Sequence, residues 1–277
     1  MQSLLVLLLL LCALGLGLNR QYATTKGYVR YTQIRSLSME LQHVTSYSVS
    51  SLSRSISFYE KVLGMKVVKR DDSGAGSAQL AFAADSKSGV ELVGAAAPII
   101  RGDAFVGIGV TKKDAPACLL SAEQNGGKVV RPFAEYGYGA SIIPDEDEMV
   151  IIPALYGCVE DPDGYLIEVT EGTRAEPLRK VILNVLDLDE TVAYYTQNAG
   201  MNLLRRRSNV NSKPKQASIC SFVSFEATEE EGTMLELVYN YATERLTIGN
   251  GFRFIAVRGQ KSKGTFKDPN EYQLNVI

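Results

Sequence analysis

One histidine, four cysteines and no block of lysine or arginine set the first bounds on this chain. A lone histidine, His43, cannot supply the two-histidine, one-carboxylate set of non-haem iron centres. A formal charge of −2 without basic clusters argues against nucleic acid as the main partner. Cys12 falls in a candidate leader, leaving Cys118, Cys158 and Cys220. An odd, widely spaced trio suggests neither a disulfide framework nor a zinc knuckle, and buried thiols are the simplest reading. The apolar run Leu4 to Leu18 is too short for a comfortable membrane span.

What remains is ordinary globular composition. The 277 residues are 45% hydrophobic and 22% charged, enough for two domains or one large one. Leu4 to Leu18 ends in small residues and reads as a signal-peptide core, with an uncleaved anchor as the alternative. Asn19 to Met39 holds no acid and carries Arg20, Lys26, Arg30 and Arg35 among serines and threonines. That composition resembles an organelle transit peptide. A leader over residues 1–40 therefore implies entry to the secretory pathway and, as a two-part leader, a plastid; plain secretion is the alternative. No membrane association is expected after its removal.

The mature chain repeats itself. FYEKVLGMKVVKR from Phe58 and YYTQNAGMNLLRR from Tyr194 match at a spacing of 136 residues, with Tyr59/Tyr195, Gly64/Gly200, Met65/Met201 and Arg70/Arg206 coincident. Each copy reads as a strand, a short helix stopped by glycine and further strands. Each also ends in a strand with a glutamate between apolar residues, Glu91 in the first and Glu236 in the second. A unit between them, from Phe105 to Thr170, closes with Glu168 after the turn Asp161-Pro162-Asp163-Gly164. A carboxylate on such a strand either faces water or meets a cation in the interior, because burial without a partner is expensive. A fourth unit opens at Phe252 and is expected to stop at Ile277 before its closing strands. Pro144 to Glu148 reads as a solvated acidic loop.

FYEKVLGMK, EDPDGYLIE, DLDETVAYY and LELVYNY together resemble the vicinal-oxygen-chelate superfamily, and more narrowly two-domain, plant-type glyoxalase I (lactoylglutathione lyase). The resemblance implies an α+β fold of tandem βαβββ modules forming curved mixed sheets. It implies one domain over residues 41–173 and a second, with a truncated last module, over 178–277. In that family two units form a cleft around a divalent metal such as Zn, Ni, Mg or Mn. First-strand His or Gln and last-strand Glu ligate the ion, and a glutamate moves a proton on the methylglyoxal–glutathione hemithioacetal.

Carried onto this chain, the last-strand positions fall on Glu91, Glu168 and Glu236. The first-strand positions fall on Val44, Phe105, Lys180 and Phe254, with His43 one residue from Val44 and able to reach a cleft only through a bulge. The resemblance makes Glu168 and Glu236 catalytic and metal-ligating, with Glu91 and His43 as candidates in the other cleft. Arg101 and Asn240 take glutathione-binding positions, and Asn184 stands where the family usually has Arg. Lys180 opens another outcome, in which its ammonium lies between Glu168 and Glu236 and replaces the metal's charge. Two function classes follow: a metal-dependent lyase on the glutathione adduct, or a non-catalytic binding or assembly protein. A homodimer would cover the unfinished sheet edge.

Overall fold

A computed structural model describes residues 41–142, 149–209, 217–241, 243–258 and 263–277. The leader and the acidic stretch 143–148 lie outside the described residues. The first unit runs β1 (His43–Val49), α1 (Leu52–Phe58), β2 (Lys66–Asp71), β3 (Ser77–Ala81) and β4 (Ser88–Gly94). A π-helical turn, Tyr59–Leu63, prolongs α1 until Gly64 ends it in the left-handed region at φ 74°. Only glycine adopts that conformation without a steric penalty.

The second unit comprises β5 (Phe105–Lys112), α2 (Ala115–Gln124), β6 (Lys128–Ile142), β7 (Met149–Glu160) and β8 (Leu166–Glu171). Its helix starts where the sequence allows: the Asp114 carboxylate accepts from the Ala117 N–H at 2.9 Å, and Pro116 stands in the first turn. The third unit has the same order, β9 (Leu178–Val185), α3 (Leu188–Ala193), β10 (Asn202–Asn209), β11 (Ser218–Ser224) and β12 (Met234–Asn240). Asp187 caps α3 by accepting from the Glu190 N–H at 2.8 Å.

The fourth unit is short, but it does not end before its closing strands. After β13 (Phe252–Val257) come β14 (Gly264–Lys267) and β15 (Gln273–Val276). Strand β15 runs parallel to β13, with Asn275 beside Ala256. The turn that enters it, Asp268-Pro269-Asn270-Glu271-Tyr272, repeats Asp161-Pro162-Asp163-Gly164-Tyr165 in both sequence and bonding. Asp161 Oδ1 accepts from the N–H groups of Asp163 and Tyr165, as Asp268 Oδ1 does from Asn270 and Tyr272. Tyr59 donates to Asp161 at 3.0 Å and Tyr195 to Asp268 at 3.1 Å. Tyr165 and Tyr272 donate to the carbonyls of Ser48 and Asn184. Each turn thus fastens one unit to the unit before it.

The four units pair as inner and outer couples. The second and third close a barrel, β10-β11-β12-β9-β5-β8-β7-β6, and the first and fourth make an open seven-stranded sheet, β14-β15-β13-β1-β4-β3-β2. In a strand alternate residues share a face. Val181, Leu183 and Val185 of β9, with Ile167 and Val169 of β8, are buried in the core that takes in Leu119, Leu188 and Val192 of the helices. The opposite faces of these strands line the barrel interior, and Lys180, Glu168 and Glu236 lie there.

Candidate functional site

Pairing registers place the interior residues. Glu168 lies beside Gly109 on β5, Gly109 faces Lys180 on β9, and Glu236 lies beside Ile182. Lys180 Nζ is 2.6 Å from Glu168 Oε1 and 2.6 Å from Glu236 Oε2. The lysine is buried at 4% exposure, so an unpaired ammonium there would be very costly. Burial disfavours the charge of Lys180, but the two carboxylates outweigh it and raise its pKa. Burial likewise opposes the charge of Glu236, and the Lys180 ammonium outweighs it, holding that carboxyl below its ordinary range. Both shifts favour the charged triad.

Gly109 makes room for this arrangement. A Cβ there would meet Lys180 Cγ at 2.6 Å and Cε at 2.7 Å. The counterpart of Lys180 in the second unit follows from the registers. Glu236 pairs with Ile182 and Glu168 with Gly109, so the residue two before Gly109 matches Lys180: Gly107, not Phe105. Gly107 has φ 155°, and a Cβ there would come within 1.8 Å of Leu166 O. No side chain, and so no ligand, fits that position. Phe105 instead packs with Tyr47, Tyr165 and Phe252 at ring separations of 5.3–5.7 Å. Counting back from the helix caps agrees: Lys180 stands seven residues before Asp187, and Gly107 seven before Asp114, so the position that the family resemblance put on Phe105 falls on Gly107.

The open sheet arranges the same positions differently. Glu91 lies beside Ser46, accepts from its hydroxyl at 2.7 Å, and accepts from Gln79 at 3.4 Å. Val44 belongs to an apolar cluster with Leu41, Ala81 and Ala256, against which Phe254 packs. Asn275 takes the place that glutamate holds in the other three units. His43 points the other way. The β1–β4 register is unbroken, so His43 and Glu91 fall on opposite faces and the bulge that would unite them is absent. His43 bonds Thr45 Oγ1 at 3.2 Å, and burial lowers its pKa to about 4. A buried neutral imidazole on the far face cannot join Glu91 in a site.

Arg101 and Asn240 are held by different partners. Arg101 donates to Gly164 O and stands 6.0 Å over the Tyr165 ring, so its guanidinium is engaged by the Asp161 turn. Asn240, four residues beyond Glu236, shares its face and donates to Asn184 Oδ1 at 2.9 Å; Asn184 donates to Asp103 O at 2.6 Å. Among the described residues no group of three or more His, Cys, Asp or Glu could hold a metal.

With this geometry in view, the comparisons are specific. The family model described as Glyoxalase/Bleomycin resistance protein/Dioxygenase superfamily matches residues 40–169. A putative lactoylglutathione lyase of Brassica oleracea var. gemmifera is 31% identical over 218 residues, covering 76% of this chain and 71% of the relative. The chain belongs to the glyoxalase superfamily. A probable chloroplastic lactoylglutathione lyase of Arabidopsis thaliana is 30% identical over 234 residues, 82% of this chain and 61% of the relative. The match thus takes in about six to seven tenths of these plant proteins' length. Glyoxalase I of Zea mays shares the fold, with a TM-score of 0.68 at 22% identity over 84% of this chain and 90% of that one.

The superfamily generally uses a divalent metal, and the barrel residues do not fit one. The two carboxylates that would bind it grip an ammonium, the matching position on β5 has no side chain, and no neutral nitrogen ligand accompanies them. Sequence reasoning found the triad but missed Gly107, Gly109 and Asn275. The signal for Asn275 was present, since DPNEYQLNV keeps the Asp, Pro, Tyr and Val of DPDGYLIEV in register and puts Asn275 where Glu168 stands.

Proposed function

We propose that the protein is a glyoxalase-fold binding protein whose barrel takes a small molecule without a divalent metal, Lys180 supplying the positive charge. The contact of Lys180 Nζ with both glutamates at 2.6 Å carries this reading. A divalent cation between those carboxylates would have to evict the ammonium or sit against it, a like-charge contact in a desolvated setting. Proton shuttling is also poorly served, because a carboxyl held below its ordinary range is a weak base at neutral pH.

The second reading is a lactoylglutathione lyase, favoured by the names of the plant relatives. There Glu168 and Glu236 would act on the methylglyoxal–glutathione adduct, with Arg101 and Asn240 holding the glutathione moiety. Metal analysis of untagged protein and a hemithioacetal assay with added Zn, Ni, Mg or Mn separate the two. We expect well under one metal per chain and no turnover above background, with metal uptake rising in Lys180→Gln. Stoichiometric metal in the unaltered protein, or turnover lost to chelator and restored by metal, would establish the lyase.

A further inference from the structure

The barrel interior holds a further cation that the triad does not use. Arg207 on β10 lies beside Cys220 on β11, and residues opposite each other in a pair share a face. Phe222, two residues along β11 and so on the same face, lies beside Glu236, and Arg207, Cys220 and Glu236 therefore all look inward. The fields agree: Arg207 helps lower the pKa of Glu236 and opposes the rise that burial imposes on Cys220. Yet Glu236 is bonded to Lys180, and Arg207 Nε is buried with no hydrogen-bond partner. Its neighbours on β10 contrast with it. Arg205 is paired with Glu229, and Arg206, on the outer face, bonds Asp189 at 2.6 Å.

A buried guanidinium N–H without an acceptor is costly, and native structures satisfy such groups. The chemistry that satisfies it is an oxyanion, because the planar Nε–Nη edge donates two parallel bonds to a carboxylate or phosphate. Polar groups stand beside it on the same face. Asn209 Nδ2 lies 3.4 Å from Ser218 Oγ and 3.7 Å from Cys220 Sγ. On another wall Arg131, whose charge opposes the rise in the Cys158 pKa, is bonded to the Tyr156 hydroxyl rather than to a carboxylate.

We infer that Arg207 is the anchor of an oxyanion-binding site inside the barrel, for a small organic acid or a phosphate-bearing molecule, with Asn209 and Ser218 at its side. The site is separate from the question of metal. Metal analysis reads the triad and anion titration reads Arg207, so either conclusion can fail alone.

The test is calorimetric titration and thermal melting of the full chain with sodium phosphate and, separately, disodium succinate, each against sodium chloride at equal ionic strength. Saturable binding of at least one probe is expected, weakened roughly tenfold or more in Arg207→Gln and unchanged in Arg206→Gln. Phosphate alone binding identifies a phosphate ligand, and succinate alone a carboxylate. Arg207→Lys, which keeps the charge but loses the fork, should fall between if the Gln variant folds poorly. No saturable binding of either probe to the unaltered protein would overturn the inference, and so would equal binding by Arg207→Gln.

Discussion

The barrel and the open sheet start from the same pattern, a glutamate on the closing strand of each unit, and neutralise it by opposite means. In the barrel both glutamates survive, Glu236 buried and Glu168 half-buried, and Lys180 inserts between them. In the open sheet one glutamate is replaced by Asn275, and Glu91 keeps company with a serine and a glutamine. Two carboxylates facing each other in a desolvated interior need a cation. One carboxylate at a partly open face needs only hydrogen bonds. The difference teaches that the cation in the barrel is a requirement of the fold there, whatever it also does for a ligand.

The largest expected effect follows directly. Lys180→Met keeps length and volume but leaves the buried Glu236 and the half-buried Glu168 without their cation. It should cost about 3–5 kcal/mol in chemical denaturation at neutral pH. The loss should shrink in acid, where the orphaned carboxylates take up protons. The sign is fixed by the raised pKa of Lys180 and the lowered pKa of Glu236. The pair stabilises between the ordinary carboxylate range and the lysine range, losing that contribution as pH falls through the Glu236 pKa or rises through that of Lys180. A cost below about 1 kcal/mol would mean that water, not the ammonium, satisfies the carboxylates.

Much of this was legible before any coordinates. The 136-residue repeat related the first and third units, the opening strands at Phe105 and Phe252 marked the other two, and the glutamates between apolar residues marked the inner face, because a strand's period of two ties Glu168 to Leu166 and Thr170. Lys180 stood out through the family resemblance, which put it at a first-strand ligand position. What sequence could not give was register. Strand pairing puts the matching position on Gly107 rather than Phe105, and a glycine's significance lies in what its missing Cβ would strike. His43 tempted because imidazole is a good ligand, yet parity on β1 puts it on the far face. Arg207 drew no notice at all, since a strand arginine declares itself only when its neighbours prove to be paired and it does not.

The two Asp-Pro turns carry the comparison into pH dependence. Burial raises the Asp161 pKa from 3.8 to about 6, against the opposing bonds from the Tyr165 N–H and the Tyr59 hydroxyl. Asp268, its counterpart in the open sheet, is also raised by burial. A raised carboxyl reverses the usual acid profile. The folded state holds its proton more tightly than the unfolded chain, so this contribution weakens as pH climbs from about 4 to 6 and is level above. Two pKa units correspond to about 2–3 kcal/mol. Asp161→Asn should remove most of that slope from the stability profile, and Asp268→Asn less of it. Equal slopes in the unaltered protein and Asp161→Asn would show that the carboxyl titrates normally.

The smallest effect belongs to the open sheet. Glu91→Gln retains an oxygen to accept from Ser46 and removes only the charge, so a cost below about 1 kcal/mol is expected in the same denaturation experiment. Metal content should not change either, since Val44 and Asn275 offer no partner for a cation there. The value of the measurement lies in the pairing with Lys180→Met. If Glu91→Gln proved as damaging as the loss of the barrel lysine, then Glu91 would be meeting a cation of its own. The two halves would then differ in degree and not in kind.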